Sequence, residues 1–303
     1  MPLRIKVILN PSSGRETART NVEDTLGYLA GQSELSRADI FYTAKRFDAT
    51  EFAQDTDPDE YDLLLAAGGD GTVNEVITGL MRGQVEIPLA IYTSGTVNDF
   101  ATTMKLPSDP TDFARMLLNH DIKPVDCGRC EDTYFLNVLA GGLLSDVAYT
   151  APVELKTAFG PAAYWMSAIK DFQTSKRTMP LTLKSDKVNC STDCVLFLVS
   201  NSPSVGGFRN LMTLADIDDG LLDVLVLKKP DVLGDAFSLI GKMVMNDHIN
   251  SDTVIYFQTN KLELSTDSED KTVLDIDGEE GPAMPVTVEC IKGGINLIVP
   301  KED

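Results

Sequence analysis

The chain has no run of about 18 apolar residues, so nothing in it reads as a membrane-spanning helix. The first residues, Met1 to Asn10, lack the longer apolar stretch followed by small residues that marks a signal peptide and read instead as a strand, so a cytoplasmic protein is expected. Basic residues are scarce: 26 Lys plus Arg stand against 46 Asp plus Glu, a formal net charge of -20. That balance argues against a nucleic-acid partner met through a broad basic face, and any anionic ligand must be held by a local patch. The five cysteines are too few and odd in number for a secreted disulfide framework. Cys127 and Cys130 have the spacing of half a zinc site, but the pair that would complete it, Cys190 and Cys194, is spaced differently, so small apolar residues beside turns is the better reading. No internal repeat or low-complexity segment is found.

What is present fills 303 residues with 43% hydrophobic content, enough for two domains each with its own core. The first third alternates strand and helix signals. Strands are predicted at Ile5 to Leu9, Ala38 to Tyr42, Leu63 to Ala67 and Pro88 to Tyr92, with helices near Ala18 to Ala30, Thr50 to Gln54 and Val73 to Met81. That rhythm implies an open parallel sheet flanked by helices. From about Val125 the pattern turns to strand-like runs between turn residues: Tyr134 to Leu139, Leu181 to Leu183, Cys194 to Ser200, Leu222 to Leu227, Thr253 to Gln258, Lys261 to Leu264, Val273 to Ile276 and Val286 to Cys290. Helical stretches at Ala162 to Phe172 and Asp231 to Val244 interrupt them. The expected organisation is a nucleotide-binding α/β domain over 1–125 and a mostly antiparallel β domain over 126–290, with the last strand (291–303, Ile295 to Val299) free to return to the first domain.

The most informative segment is Leu63 to Val76, where an apolar strand meets three glycines in four residues and then a helix. Such a turn offers unpaired backbone N–H groups and a helix N-terminus to an anion, and the glycines let a bulky phosphate reach the backbone. Asp70 at its mouth would repel phosphate unless a metal bridges the two, which implies Mg²⁺. Neither a Walker A sequence nor GxGxxG is present, so this is a different nucleotide-binding solution. Two further polar turns follow predicted strands: Asn10-Pro11-Ser12-Ser13-Gly14 and Ser94 to Ala101. In an open α/β sheet the strand C-termini line the ligand crevice, so these loops should converge there.

Gly68-Gly69-Asp70-Gly71-Thr72-Val73-Asn74-Glu75-Val76 resembles the GGDGTxNEV signature of the diacylglycerol-kinase catalytic-domain family, which includes bacterial soluble lipid kinases, sphingosine kinases and ceramide kinases. Asn10 to Gly14 resembles that family's NPxSG loop and Gly95 to Ala101 its GTxNDFA loop. A GGDGT core also occurs in NAD kinases and 6-phosphofructokinases, and the three motifs in this order are more specific. The resemblance implies ATP as a substrate bound by Asn10, Pro11, Ser12, Ser13, Gly14, Thr43, Gly68, Gly69, Asp70, Gly71, Thr72, Val73, Asn74 and Thr96, together with Mg²⁺. It also implies an N-terminal domain like that of phosphofructokinases and NAD kinases, followed by a β-sandwich.

The resemblance extends through the second half. Asn201 to Phe208 followed by Ala215 to Val224 is similar to the bacterial family's segment ending in A-x-x-x-DDG-x-L-D-V, and implies a structural Mg²⁺ held at Asp216, Asp219 and Leu221. Leu274 to Gly281 resembles the family's DGE motif, so Asp277 and Glu279 are both candidates for the general base and Asp70 joins them as a catalytic acid residue. The spacing does not choose between the first two, because residues two apart in an extended strand share a face. From Glu154 to Lys187 six basic residues face three acidic ones, with the single tryptophan Trp165 among them. This stretch reads either as a membrane-docking face on an amphipathic helix or as a solvated helix packed on the β domain.

The resemblance thus implies transfer of the γ-phosphate of ATP to a lipid hydroxyl at a membrane surface, with diacylglycerol as acceptor and phosphatidic acid as product. Undecaprenol, a sphingoid base or NAD as acceptor, or a non-catalytic nucleotide- or lipid-sensing protein on the same fold, are the alternatives. Exposed strand edges in an antiparallel domain leave a homodimer open.

Overall fold

The computed structural model describes residues 1–13, 17–93, 99–142, 178–205, 210–228, 242, 245, 247–268 and 272–301. Both helices expected in the second half, Ala162 to Phe172 and Asp231 to Val244, fall almost wholly outside these residues. The chain divides into two compact units, Met1–Cys127 with Lys292–Asp303, and Gly128–Ile291.

In the first unit β1 (Leu3–Leu9), α1 (Thr17–Gly31), β2 (Leu35–Tyr42), α2 (Asp48–Gln54), β3 (Leu63–Gly68), α3 (Asp70–Gly83) and β4 (Leu89–Thr93) alternate along the chain. They are followed by α4 (Asp99–Thr103), α5 (Pro110–Leu118) and β5 (His120–Cys130). β2, β1, β3 and β4 lie side by side and parallel. The closing strand β15 (Val286–Pro300) adds parallel to β4 through Leu297 opposite Leu89. Strands covered on both faces should read as continuous apolar runs, and β3 is buried at every residue. One face packs Val7, Leu9, Leu65 and Tyr92 against Leu26, Leu29 and Phe113 of the helices, with the Tyr92 and Phe113 rings edge-on at 4.8 Å. α2 and α3 approach so closely that a Cβ at Gly79 would lie 2.3 Å from the Thr50 carbonyl oxygen.

Of the two charged residues in β1, Arg4 and Lys6, only Lys6 is buried, 3% exposed. Its Nζ donates to the carbonyls of Phe52 at 2.6 Å and Asp55 at 3.3 Å, closing the C-terminal end of α2, and lies 4.8 Å over the Phe41 ring. Burial pushes its pKa down, and the nearby carboxylates oppose the shift. α5 starts at Asp109, whose side chain accepts from the Thr111 and Asp112 amides with Pro110 at the first helical position. That start signal lies in the sequence, and neither α4 nor α5 was among the predicted helices.

The second unit is a mostly antiparallel β-sandwich. β9 (Asn189–Ser200) is its centre, pairing β8 (Met179–Lys184), β7 (Val138–Gly141) and β10 (Leu222–Lys228), while β11 (Val254–Thr259) flanks β10. β12 (Lys261–Ser265) joins β8 and β15, and the hairpin of β13 (Val273–Ile276) and β14 (Glu279–Ala283) adds to β7. Alternate residues of β10 enter different cores: Leu222, Val224 and Val226 join Phe135, Phe197 and Val288, whereas Leu225 and Leu227 join Leu198 and Met212.

Three strand expectations need correction. The run Tyr134 to Leu139 is two strands, β6 (Thr133–Phe135) and β7, because the backbone between them bonds to side chains instead of a neighbouring strand. The runs Val286 to Cys290 and Ile295 to Val299 form the single strand β15, which passes through Gly293 at φ 59°. The amide of Gly293 donates to Asp126 at 2.7 Å there, and a glycine takes the left-handed conformation without steric cost. β14 was not anticipated, and of β5 only the strand-like stretch at Cys127 to Cys130 was; each strand contains proline and glycine, which dilute the strand signal.

Candidate active site

In the first unit, β1, β2, β3 and β4 are parallel neighbours, so their C-terminal ends lie along one end of the sheet. Leu9 pairs Tyr42 on one side and Ala67 on the other, and Gly68 pairs Thr93. The segments that follow, starting at Asn10, Thr43 and Gly69, therefore leave at the same end. Backbone bonds bind them to the sheet, with the Asn10 amide donating to Ala67 and the Thr43 amide to Leu9, each at 2.9 Å. Asn10 ties two of the loops together: its Nδ2 donates to Thr72 Oγ1 at 3.1 Å, and its Oδ1 accepts from the Ser12 amide and hydroxyl. Of the sequence-predicted nucleotide contacts, Asn10, Pro11, Ser12, Ser13, Thr43 and Gly68 to Asn74 are gathered here. Gly14 and Thr96 lie outside the described residues.

The two leading glycines serve different ends. A Cβ on Gly68 would lie 2.5 Å from Thr72 Cβ and Oγ1, so this glycine lets the first turn of α3 pack back onto the strand. A Cβ on Gly69 would meet, among the described residues and apart from its chain neighbours, no atom within 4 Å. Towards the described residues the space beside Gly69 is open, as a backbone that receives a phosphate requires. Gly69 is extended and precedes α3, and its carbonyl accepts from the amides of Thr72 at 3.0 Å and Val73 at 3.1 Å, so the helix turns with its positive end towards the glycine loop, where an anion is favoured. Asp70 begins the helix and is half-buried. Beside this loop, Asp48 accepts from the amides of Ala44 at 2.8 Å and Lys45 at 2.9 Å, and these bonds hold its carboxyl below the usual range. Glu75 of α3 accepts from the Phe47 amide at 3.0 Å, so the segment after β2 is tied to α2 and α3.

The second unit carries the acidic motifs. β13 and β14 pair Ile276 with Glu279, leaving Asp277 and Gly278 as a two-residue turn with φ 51° and 90°. This is the turn that Asp-Gly favours, since both central residues take positive φ. Asp277 therefore lies outside the strand, and the expectation that it shares a strand face with Glu279 does not hold. Its carboxylate accepts from three successive amides, Leu136 at 3.1 Å, Asn137 at 3.2 Å and Val138 at 2.8 Å, while its own amide donates to Val138. The carbonyls of Leu136 and Asn137 are taken in turn by Asn201 and Ser200 at the end of β9. Asn201 of the resembling segment, with Ser200 just before it, thus braces the link on which Asp277 hangs. A carboxylate so supplied with donors is a fixed anchor, whereas Glu279 is exposed at the start of β14.

The loop from Asn210 to Leu221 carries Asp216 and Asp219, both exposed, and Asp219 accepts from the Leu221 amide at 2.8 Å. Two carboxylates and a backbone carbonyl are oxygen ligands suited to a hard divalent ion such as Mg²⁺. Among the described residues no three His, Cys, Asp or Glu side chains are gathered for a metal, and the predicted set, with only two such side chains, does not call for it. Next to this loop, Asp223 is buried in β10, where burial pushes its pKa up to about 6 against the hydrogen bonds it accepts from Tyr256 and Gln258. Asp223 is the last acid of the A-x-x-x-DDG-x-L-D-V resemblance but was given no role there, and nothing in the sequence pointed to Tyr256 or Gln258, because a polar residue in an apolar strand acquires meaning only from what pairs opposite it. Cys130 and Cys194 belong to one hydrophobic core, and burial pushes both thiols up to about 12. Of the basic stretch, Glu154 to Arg177 is outside the described residues. Lys184 ends β8 and Lys187 sits in the turn after it, so these two are not on a helix.

Comparison with known proteins agrees with these features. Residues 4–130 match the family model described as diacylglycerol kinase catalytic domain, and residues 140–299 the YegS C-terminal NAD kinase beta sandwich-like domain. The chain is 32% identical to a diacylglycerol kinase of Bacillus subtilis over 302 residues, covering 99% of this chain and 97% of that one. It is 31% identical to a diacylglycerol kinase of Staphylococcus haemolyticus, covering 98% and 88%. A crystal structure of a diacylglycerol kinase from Bacillus anthracis superposes with a TM-score of 0.78 at 27% identity, covering 98% of this chain and 96% of that one. A phosphate-ready loop at the end of a parallel sheet, a β-sandwich carrying the acidic motifs, and this likeness along the whole chain lead to one conclusion: the chain belongs to the diacylglycerol kinase family.

Proposed function

We propose that this chain is a lipid kinase that transfers the γ-phosphoryl group of ATP to the hydroxyl of diacylglycerol, giving phosphatidic acid. The observation that carries the nucleotide half is the open space beside Gly69 at the mouth of a glycine turn and helix N-terminus, tied through Thr72 to Asn10. The acceptor is inferred from the diacylglycerol kinases that the chain resembles over nearly its full length.

Phosphoryl transfer asks for positioning and neutralisation of charge more than for covalent participation. The positive end of α3 and the glycine loop before it receive phosphate oxygens, and Gly69 leaves room for them to approach. Asp70 would hold the Mg²⁺ that arrives with the nucleotide, and the ion would offset the phosphate charge that this carboxylate otherwise opposes. Glu279 is assigned as the group that takes the proton from the lipid hydroxyl. The assignment rests on its exposure, which leaves its oxygens accessible, and on the commitment of Asp277 to the amides of Leu136 to Val138. Asp216, Asp219 and the carbonyl of Leu221 are assigned to a second Mg²⁺ with a structural task.

The enzyme meets its lipid at a membrane surface: among the described residues no helix is long and apolar enough to cross one. The segment 154–187, with its basic excess and Trp165, is the proposed docking element. The test is incubation with labelled ATP and Mg²⁺ in mixed micelles of diacylglycerol, undecaprenol or a sphingoid base. Label is expected in the diacylglycerol product; transfer to another alcohol would move the acceptor assignment, and ATP binding without transfer to any lipid would replace catalysis by nucleotide sensing.

A further inference from the structure

β10 is buried from Leu222 to Leu227, and Asp223 is its one ionisable residue in that run, 1% exposed. A carboxylate inside an apolar strand is costly unless its oxygens are matched by donors, and a hydrophobic residue of similar size would fit the core with less penalty. Both oxygens here are matched. Oδ1 accepts from the Tyr256 hydroxyl, and Oδ2 accepts from Gln258 Nε2 at 3.2 Å. Both donors come from β11, whose Gln258 stands directly opposite Asp223 in the antiparallel register.

The same two side chains converge on one loop residue. The amide of Leu214 donates to the Tyr256 hydroxyl at 3.1 Å, and the carbonyl of Leu214 accepts from Gln258 Nε2 at 3.0 Å. Leu214 itself is 55% exposed, so its side chain does not hold it in place. The loop is gripped by its backbone, two residues before Asp216 and five before Asp219. Upstream, His248 Nε2 lies 2.7 Å from the Leu211 carbonyl, and the Met212 amide donates to Pro203 at 3.1 Å.

We propose that Tyr256, oriented by Asp223 and assisted by Gln258, is a positioning residue that holds the 214–221 loop in its ion-binding conformation. The inference rests on the reading that Asp216, Asp219 and Leu221 hold a divalent cation. The buried carboxylate is explained by this arrangement: it directs the Tyr256 hydroxyl hydrogen towards itself, which leaves a lone pair of that oxygen facing the Leu214 amide. Tyr256 and Gln258 touch no ligating atom, so their effect passes through the main chain.

The experiment is thermal denaturation of the full chain without nucleotide, in EDTA and across a Mg²⁺ titration, for wild type, Asp219→Ala, Tyr256→Phe and Gln258→Leu. The wild type is expected to be stabilised by Mg²⁺ and Asp219→Ala to lose that response. Tyr256→Phe and Gln258→Leu are expected to keep the response with its midpoint moved to roughly 10–100-fold higher Mg²⁺, the usual consequence of losing an outer support of a metal site. Equal melting-temperature losses in EDTA and in Mg²⁺, with the midpoint unmoved, would reduce the trio to ordinary core support and overturn the proposal. A wild type indifferent to Mg²⁺ would instead remove the ion from the loop, and the proposal with it. Should Tyr256→Phe fail to fold, Gln258→Leu decides alone, since it leaves the Tyr256–Asp223 pair intact.

Discussion

Replacing Asp277 separates an anchor from a proton acceptor. Its carboxylate is the acceptor for three consecutive amides, those of Leu136, Asn137 and Val138. In Asp277→Ala all three lose that partner. These bonds are partly buried, so about 1 kcal/mol each, the low end for an amide left unsatisfied, is the appropriate scale. Alanine must also adopt φ 51°, which adds about 1 kcal/mol. The total is roughly 4 kcal/mol, which at 2–4 °C per kcal/mol for a domain of this size lowers the melting temperature by roughly 8–16 °C. Asp277→Asn tolerates the left-handed backbone and keeps an oxygen for Asn137 and Val138, but turns an amide group towards the Leu136 N–H. Its cost is roughly 1–2 kcal/mol, a fall of about 2–8 °C. Denaturation followed by circular dichroism or calorimetry gives the order Asn above Ala. Wild-type melting for both variants would refute the anchor, and with it the reason for preferring Glu279 as the base.

Glu279→Gln should leave the melting temperature within about 1 °C, because the side chain is exposed, yet lower kcat by roughly 10²–10⁴-fold in the micelle assay; an active variant would end its role. Gly69→Ala fills open space, so stability should hold while KM for ATP rises by about 10-fold or more. Gly68→Ala drives a methyl into Thr72 and should lower the melting temperature by several degrees; equal behaviour of the two variants would defeat the distinction. His248 is fully buried, and desolvation holds its pKa below the ordinary value. The unfolded chain therefore binds the extra proton first, so stability should fall as pH drops below about 6.5. His248→Gln, which keeps a donor for Leu211, should show a smaller loss of melting temperature between pH 7 and 5.5, and an unchanged loss would place the acid sensitivity elsewhere.

The sequence by itself determined the alternation of the first unit. β1, β3 and β4 are short apolar runs ended by polar or glycine-bearing turns, and both the pattern and the turn chemistry are local properties of the chain. Parallel strands then place their C-terminal turns at one end of the sheet, so the gathering of Asn10, Thr43 and Gly69 follows from topology. α5 was equally legible in Asp109-Pro110, although the helix was not drawn from it. The Asp-Gly turn was legible too, but what Asp277 binds was not. Its partners lie some 140 residues earlier in the chain, and no local rule says that a carboxylate will meet three amides there.

Only the tertiary structure decided the interruption after Phe135, the continuity of β15 through Gly293, and the convergence of Asp223, Tyr256 and Gln258 on Leu214. In each case the outcome depends on which polar group stands opposite a backbone N–H or C=O once strands distant in sequence are paired. Hydrophobic pattern sets which face of an element turns inward. The partner that satisfies each buried polar group is chosen by the fold as a whole, because that group must be paired wherever the chain brings it.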